Sequence, residues 1–229
     1  MVKWCNGEVG TSQVAVEIRN LTIGYGDKVV ASGLNADLYG GELTCLLGTN
    51  GVGKSTLLRT LAERYRERCA IVLTEKPDVQ SLTVYDLVGL GRSPYTGFFG
   101  ALRDVDREVV DEALETVGIS ALARRNFANL SDGEKQKVII AQALAQKTDI
   151  IFMDEPTAFL DYPSKIEALQ LLARIAKEQN KAVLLSTHDF ELSLRYCHRV
   201  WIMNKTGLTV ARPEKVIFNI EKREYEKVE

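Results

Sequence analysis

The chain has 229 residues and a formal net charge of -2 at pH 7, with 45% hydrophobic and 26% charged residues. That length can bury the core of one α/β domain, with or without a subdomain, and the near-neutral balance supplies no overall basic field of the kind that marks nucleic-acid binding. No apolar run approaches the ~20 residues needed to cross a bilayer, and the start, Met1 to Glu8, lacks the apolar core of a signal peptide, so a cytoplasmic chain is expected, with docking on a membrane protein left open.

Val14 to Ile18, Lys28 to Val30 and Leu34 to Leu38 read as short strands separated by Gly and Asn turn signals, an antiparallel β section at the N-terminal end. Leu43 to Leu47 is a further apolar strand, and it runs into Gly48-Thr49-Asn50-Gly51-Val52-Gly53-Lys54-Ser55-Thr56, which fits G-x-x-x-x-G-K-[ST]. Glycines let the backbone turn its N–H groups toward an anion, and the helix that begins near Lys54 adds the positive end of its dipole. Lys54 would reach the β- and γ-phosphates of a nucleotide, and Ser55 would hold Mg²⁺. A Gly-rich turn can also be only a turn; the strand before it and the helical pattern after it favour the phosphate site.

A helix from Lys54 to about Tyr65 and a strand Cys69 to Leu73 follow, and then the pattern changes. From about Glu75 to Phe127 loops and helices dominate, with Val105, Val109, Val110, Ala113, Leu114 and Val117 at helical spacing. Leu130-Ser131-Asp132-Gly133-Glu134 precedes an apolar helical run. Ser131 and Glu134 form a capping box, and a Ser-capped helix start with the Gly133 N–H nearby is also an anion site. Both readings can hold together.

Ile150 to Met153 is a strand ending in Asp154-Glu155. Asp154 is placed to support Mg²⁺, and Glu155 to polarise the water that attacks a γ-phosphate; a solvated acidic turn before Pro156 is the plainer alternative. Ile166, Leu169, Leu172, Ala173 and Ala176 mark a helix, Ala182 to Ser186 a strand, and Trp201 to Val210 a hairpin. Strands alternating with helices imply a mostly parallel, covered sheet. Glu221 to Glu229 reads as a solvated helix or frayed tail. Cys5, Cys45, Cys69 and Cys197 lack C-x-x-C spacing, so free thiols are expected, with Cys45 and Cys69 packed inside strands, rather than zinc ligands or a disulfide framework.

Over about residues 13–212 this order of motifs resembles the ATP-binding cassette (ABC) ATPases. Gly48 to Thr56 is similar to their Walker A loop, Leu130 to Glu134 to the LSGGQ signature, and Ile150 to Glu155 to the Walker B strand. Phe159-Leu160-Asp161 resembles the D-loop, His188 the switch histidine, and Tyr25 the aromatic that stacks on adenine. The resemblance implies a phosphate-loop NTPase sheet core over 13–74 and 146–212, including the β section, a helical subdomain over 75–145, and a charged tail over 213–229, all in one domain. It further implies a homodimer in which ATP lies between the Walker A loop of one copy and the signature (Ser131, Gly133, Glu134) of the other, with His188 contacting the γ-phosphate.

Two motifs depart from the family pattern. Glu75 stands where the family has a Gln that touches Mg²⁺, with Gln80 five residues on, and the signature carries Asp132 and Glu134 for Gly and Gln. An active ATPase with altered metal dependence is the expectation. Only residues 57–129 separate Walker A from the signature, too few for the coiled coil of the chromosome-maintenance relatives. Val84 to Tyr95, with Gly97 to Gly100, resembles the motor subunits of iron-siderophore, heme and cobalamin importers. That resemblance implies transmembrane permease subunits as partners, a substrate-binding protein indirectly, no nucleic acid, and a peripheral place on the cytoplasmic face of the cell membrane. Tyr95, Phe98 and Phe99 read either as subdomain core or as anchors in the permease groove. A non-transport switch acting on soluble partners and an exporter motor are the alternatives.

Overall fold

In the computed structural model, which describes residues 13–74, 79, 81–97, 101–219 and 224–228, two long strands pair antiparallel: β1 (Val14–Tyr25) and β2 (Lys28–Tyr39). The sequence predicted shorter pieces. Register shifts absorb the turn signals instead: Asn20 (φ 49) and Gly33 (φ 70) take left-handed backbone, and the Asn35 side chain accepts from the Asn20 N–H at 3.0 Å and donates to the Gly33 carbonyl at 2.7 Å. A bulge bends a strand without ending it.

The central sheet has six strands in the order β4-β5-β6-β3-β7-β8. They are β3 (Leu43–Leu47), β4 (Cys69–Val72), β5 (Ile150–Met153), β6 (Ala182–Ser186), β7 (Arg199–Asn204) and β8 (Gly207–Ala211), all parallel except β8. Strands β3, β5 and β6 are buried throughout, which is why they read as unbroken apolar runs. Their alternate residues serve different cores. Leu46, Phe152 and Leu184 meet the β1–β2 hairpin and α1 (Lys54–Arg64), whereas Cys45, Met153 and Leu185 meet the helices of the other face.

Those helices are α2 (Val84–Gly89), α3 (Asp104–Thr116), α4 (Asp132–Ala145), α5 (Tyr162–Glu178) and α6 (Phe190–Tyr196). Between α2 and α3, Leu90–Tyr95 forms a 3-10 turn whose Arg92 is buried. Its guanidinium donates to Asp106 Oδ1 at 3.1 Å and to the Ala145 carbonyl at 2.8 Å, tying the turn to α3 and to the end of α4. Tyr95 is 45% exposed, stacks on Arg92 and donates its hydroxyl to the Gln146 carbonyl at 2.9 Å. Of the two readings for this tyrosine, core packing is therefore set aside. Phe98 and Phe99 lie outside the described residues.

Two expectations are corrected. The charged C-terminal segment contains a strand, β10 (Glu224–Lys227), antiparallel to β9 (Val216–Asn219), where a helix or frayed tail was expected. The reason lies across the strands: the half-buried Tyr225 ring packs on Phe190 and on its cross-strand neighbour Phe218, giving the charged segment an apolar side. Cys45 and Cys197 are joined sulfur to sulfur, with Cα atoms 6.1 Å apart across 152 residues, so the free-thiol expectation fails for this pair. Spacing along the chain carries no trace of that proximity. Cys69 remains free and buried in β4.

Candidate functional site

Strand β3 delivers the glycine-rich loop to the C-terminal edge of the sheet, where α1 starts at Lys54. This helix end has no side-chain cap hydrogen bond and no acid in its first turn, so its N–H groups are left for an external anion. Gly53 holds φ 112, and a Cβ there would lie 2.7 Å from Val30 Cγ1. Gly53→Ala is therefore expected to destabilise the fold by about 1–3 kcal/mol and to weaken nucleotide binding, read by denaturant unfolding and by titration; wild-type values in both would show the loop geometry to be dispensable.

Lys54 is 6% exposed, and its ammonium donates to the carbonyls of Gly48 at 2.9 Å and Thr49 at 3.3 Å. Burial lowers its pKa, opposed by the carboxylates of Glu155 and Asp154. The next residues follow helical geometry: Ser55 is partly exposed, and the Thr56 hydroxyl donates to the hydroxyl of Tyr25. Tyr25 closes β1 with 55% of its surface exposed, so a ring face stands open beside the loop.

Strand β5 brings Asp154 and Glu155 to the same edge. Asp154 is 5% exposed and accepts from the Ser186 hydroxyl at 2.6 Å; that oxygen in turn accepts from the Glu155 N–H at 2.9 Å. Thr74 donates to the Asp154 carbonyl at 3.0 Å. Glu155 itself sits at φ 49, a left-handed conformation costly for a residue with a Cβ, and its Oε1 lies 2.5 Å from His188 Nε2. Such strain persists where surrounding bonds over-determine it, and it concentrates at functional sites. Since β5, β6 and β3 are neighbours, Asp154, Glu155, His188 and the loop converge on one edge.

The signature segment is built separately. Ser131 caps α4, accepting from the Glu134 N–H at 3.3 Å, while Glu134 Oε2 accepts from the Ser131 N–H at 2.9 Å and hydroxyl at 3.0 Å. The Ser131 N–H and hydroxyl hold the Glu134 carboxyl below its usual range. Gly133 packs so closely on α5 that a Cβ would lie 3.0 Å from Ser164 Oγ. No hydrogen bond among the described residues joins Ser131 or Glu134 to the loop. Phe159 is 63% exposed, Leu160 is buried, and Asp161 caps α5 by accepting from the Ser164 N–H at 3.0 Å. Glu75 and Gln80 lie outside the described residues.

Sequence reasoning missed three residues here. Ser186 and Thr74 fix the carboxylate pair, and Gln136 of α4 is buried with its Nε2 unpaired among the described residues, lining a cavity of about 240 Å³ with Thr74, Asp154 and Glu155. A single Ser, Thr or Gln carries no periodic signal. Among the described residues there is no cluster of three or more His, Cys, Asp or Glu side chains that could hold a metal ion, and no helix is long and apolar enough to cross a membrane.

Residues 31–158 match the ABC transporter family profile. The chain is 38% identical over 225 residues to an ABC transporter ATP-binding protein of Methanocaldococcus jannaschii, covering 88% of the chain and 78% of that protein. It is 36% identical over 238 residues to the iron(3+)-hydroxamate import ATP-binding protein FhuC of Bacillus subtilis, covering 90% and 88%. The inward-facing structure of a metal-chelate type ABC transporter superposes with a TM-score of 0.80 at 30% identity, over 88% of this chain and 84% of that one.

Proposed function

The chain belongs to the ABC transporter family and is an ATP-binding ATPase, and from that premise we propose that it is the motor subunit of an importer of metal chelates of the iron-siderophore, heme or cobalamin class. The observation that carries the chemistry is the convergence of Lys54, Asp154 and the Glu155–His188 pair on one sheet edge. The chelate class is supported by the relatives, which include ATP-binding proteins named for ferric enterobactin transport in Escherichia coli and cobalamin import in Halobacterium salinarum.

The uncapped start of α1 and loop residues 48–56 bind the phosphates of ATP, with Lys54 leaving its loop carbonyls to pair with the β- and γ-oxygens. The open face of Tyr25 receives adenine. Ser55 and Asp154, with Glu75 as a further candidate, would hold Mg²⁺, which neutralises phosphate charge when bound. Such a sparse donor set fits magnesium, which keeps several waters and shares phosphate ligands rather than needing a full protein cage. Glu155 accepts a proton from the attacking water, and His188 keeps that carboxylate oriented through its 2.5 Å contact while facing the γ-phosphate.

The second half of each site comes from another copy. Ser131 and the Gly133 N–H complete the γ-phosphate shell across a homodimer, with Glu134 shaping that surface by holding Ser131 in place. Closure thereby couples hydrolysis to movement of transmembrane permease subunits, which receive chelate from a substrate-binding protein. The chain works on the cytoplasmic face of the membrane.

The test is recovery of the tagged chain from its native membrane with mass spectrometry of its companions. A many-helix permease is expected; recovery of soluble partners alone would overturn the transport role in favour of an ATP-driven switch.

A further inference from the structure

His188 hangs from the end of β6 with its side chain 41% exposed, and among the described residues that side chain bonds only Glu155. What fixes the backbone around it is helix α6. Its first residue, Phe190, donates its N–H to the His188 carbonyl at 3.1 Å, and the Asp189 N–H donates to the Thr187 hydroxyl at 3.1 Å. The Phe190 ring stacks on Tyr225 of β10, centroids 5.3 Å apart at 29°, and Tyr225 also meets Phe218 of β9 at 5.1 Å. Phe190 and Tyr225 pack together on a small core that contains Leu47, the residue before the phosphate loop, and Val200 and Ile202 of β7. The C-terminal hairpin thus packs through Tyr225 on the first residue of the helix that follows the histidine, over the same small core as Leu47 and β7.

Beside this contact lies a cavity of about 340 Å³ whose walls include Tyr162, His188, Phe218 and Tyr225. We propose that the β9–β10 hairpin, through Tyr225 stacked on Phe190, is a positioning device that holds His188 against Glu155. Tyr225 touches neither nucleotide nor reacting atoms, so it is a positioning residue. A stacked aromatic pair suits the task because its contact is directional as well as apolar. This inference rests on the hydrolytic role given to His188 above.

The chain has two histidines, so the ring resonances of ¹⁵N-histidine-labelled protein report on His188 with His198 as an internal control. Tyr225→Leu keeps an apolar side chain but removes the stack, and it is expected to shift the His188 ring signals in the same direction as Glu155→Gln does, leaving those of His198 in place. Tyr225→Phe should restore the wild-type positions. In ATP turnover by the full chain, alone or in the assembly recovered from membranes, Tyr225→Leu should lower kcat about tenfold with KM for ATP unchanged. In a His188→Ala background it should add nothing, as expected for two residues acting through one group. His188 signals unmoved by Tyr225→Leu, or losses that add in full, would overturn the proposal. Wild-type turnover by His188→Ala would instead remove the hydrolytic role of the histidine, while the ring spectra would still decide whether Tyr225 positions it.

Discussion

Lys54→Ala is expected to weaken ATP binding about a hundredfold, which corresponds to the loss of one or two charge-assisted hydrogen bonds worth ~1.5–3 kcal/mol each. The ammonium is already desolvated and held by the carbonyls of Gly48 and Thr49. Phosphate binding therefore costs little further dehydration of the lysine and exchanges neutral acceptors for anionic ones. Calorimetric titration with MgATP reads the effect, and unchanged affinity would sink the phosphate assignment of residues 48–56. The pH dependence has a definite sign. Burial lowers the Lys54 pKa from its ordinary 10.5, and only the charged form pairs with phosphate. ATP affinity should therefore fall as pH rises through that lowered value. Lys54→Arg should remove this alkaline loss, because a guanidinium stays charged.

The loop was legible because its chemistry forces a local pattern: close backbone approach needs glycine, and the lysine and serine must stand at the start of the following helix. Strands β3, β5 and β6 were legible for a different reason, since burial on both faces leaves no room for polar alternation. The β1–β2 hairpin was underestimated because Asn20 and Gly33 signal turns when read one at a time, and only the cross-strand bond from the Asn20 N–H to Asn35 shows that the ladder survives them. In β10, one tyrosine among charges gave no signal until Phe190 was its neighbour in space. The Cys45–Cys197 contact and the Ser186 bridge are of the same kind, joining segments that meet only after the sheet has formed.

Ser131 and Glu134 illustrate the limit from the other side. Their capping box was correctly read as a local feature, and in the folded chain both side chains are occupied with each other. Among the described residues neither side chain makes a hydrogen bond to the phosphate loop, and in the proposed homodimer their role in catalysis would come through a second copy. Hydrolysis and dimer closure would then be coupled, and a variant that blocks one should reveal the other.

Glu155→Gln is that variant. It is expected to reduce ATP turnover about 10²- to 10⁴-fold, the usual contribution of a positioned general base, and to trap a dimer in the presence of MgATP. The amide is isosteric, and the main-chain features that place residue 155, its N–H bond to Ser186 and its left-handed backbone, do not depend on the carboxylate. Nucleotide binding should therefore persist while proton transfer from water is lost. With the γ-phosphate uncleaved, both interfaces stay closed, and size-exclusion chromatography with light scattering should show twice the subunit mass with MgATP and one subunit mass without nucleotide. A monomer at saturating MgATP would argue against composite sites, whereas a dimer that still turns over ATP at the wild-type rate would move the general base away from Glu155. The two readouts separate because, in the proposed homodimer, closure would depend on phosphate contacts from both copies and cleavage on a single carboxylate.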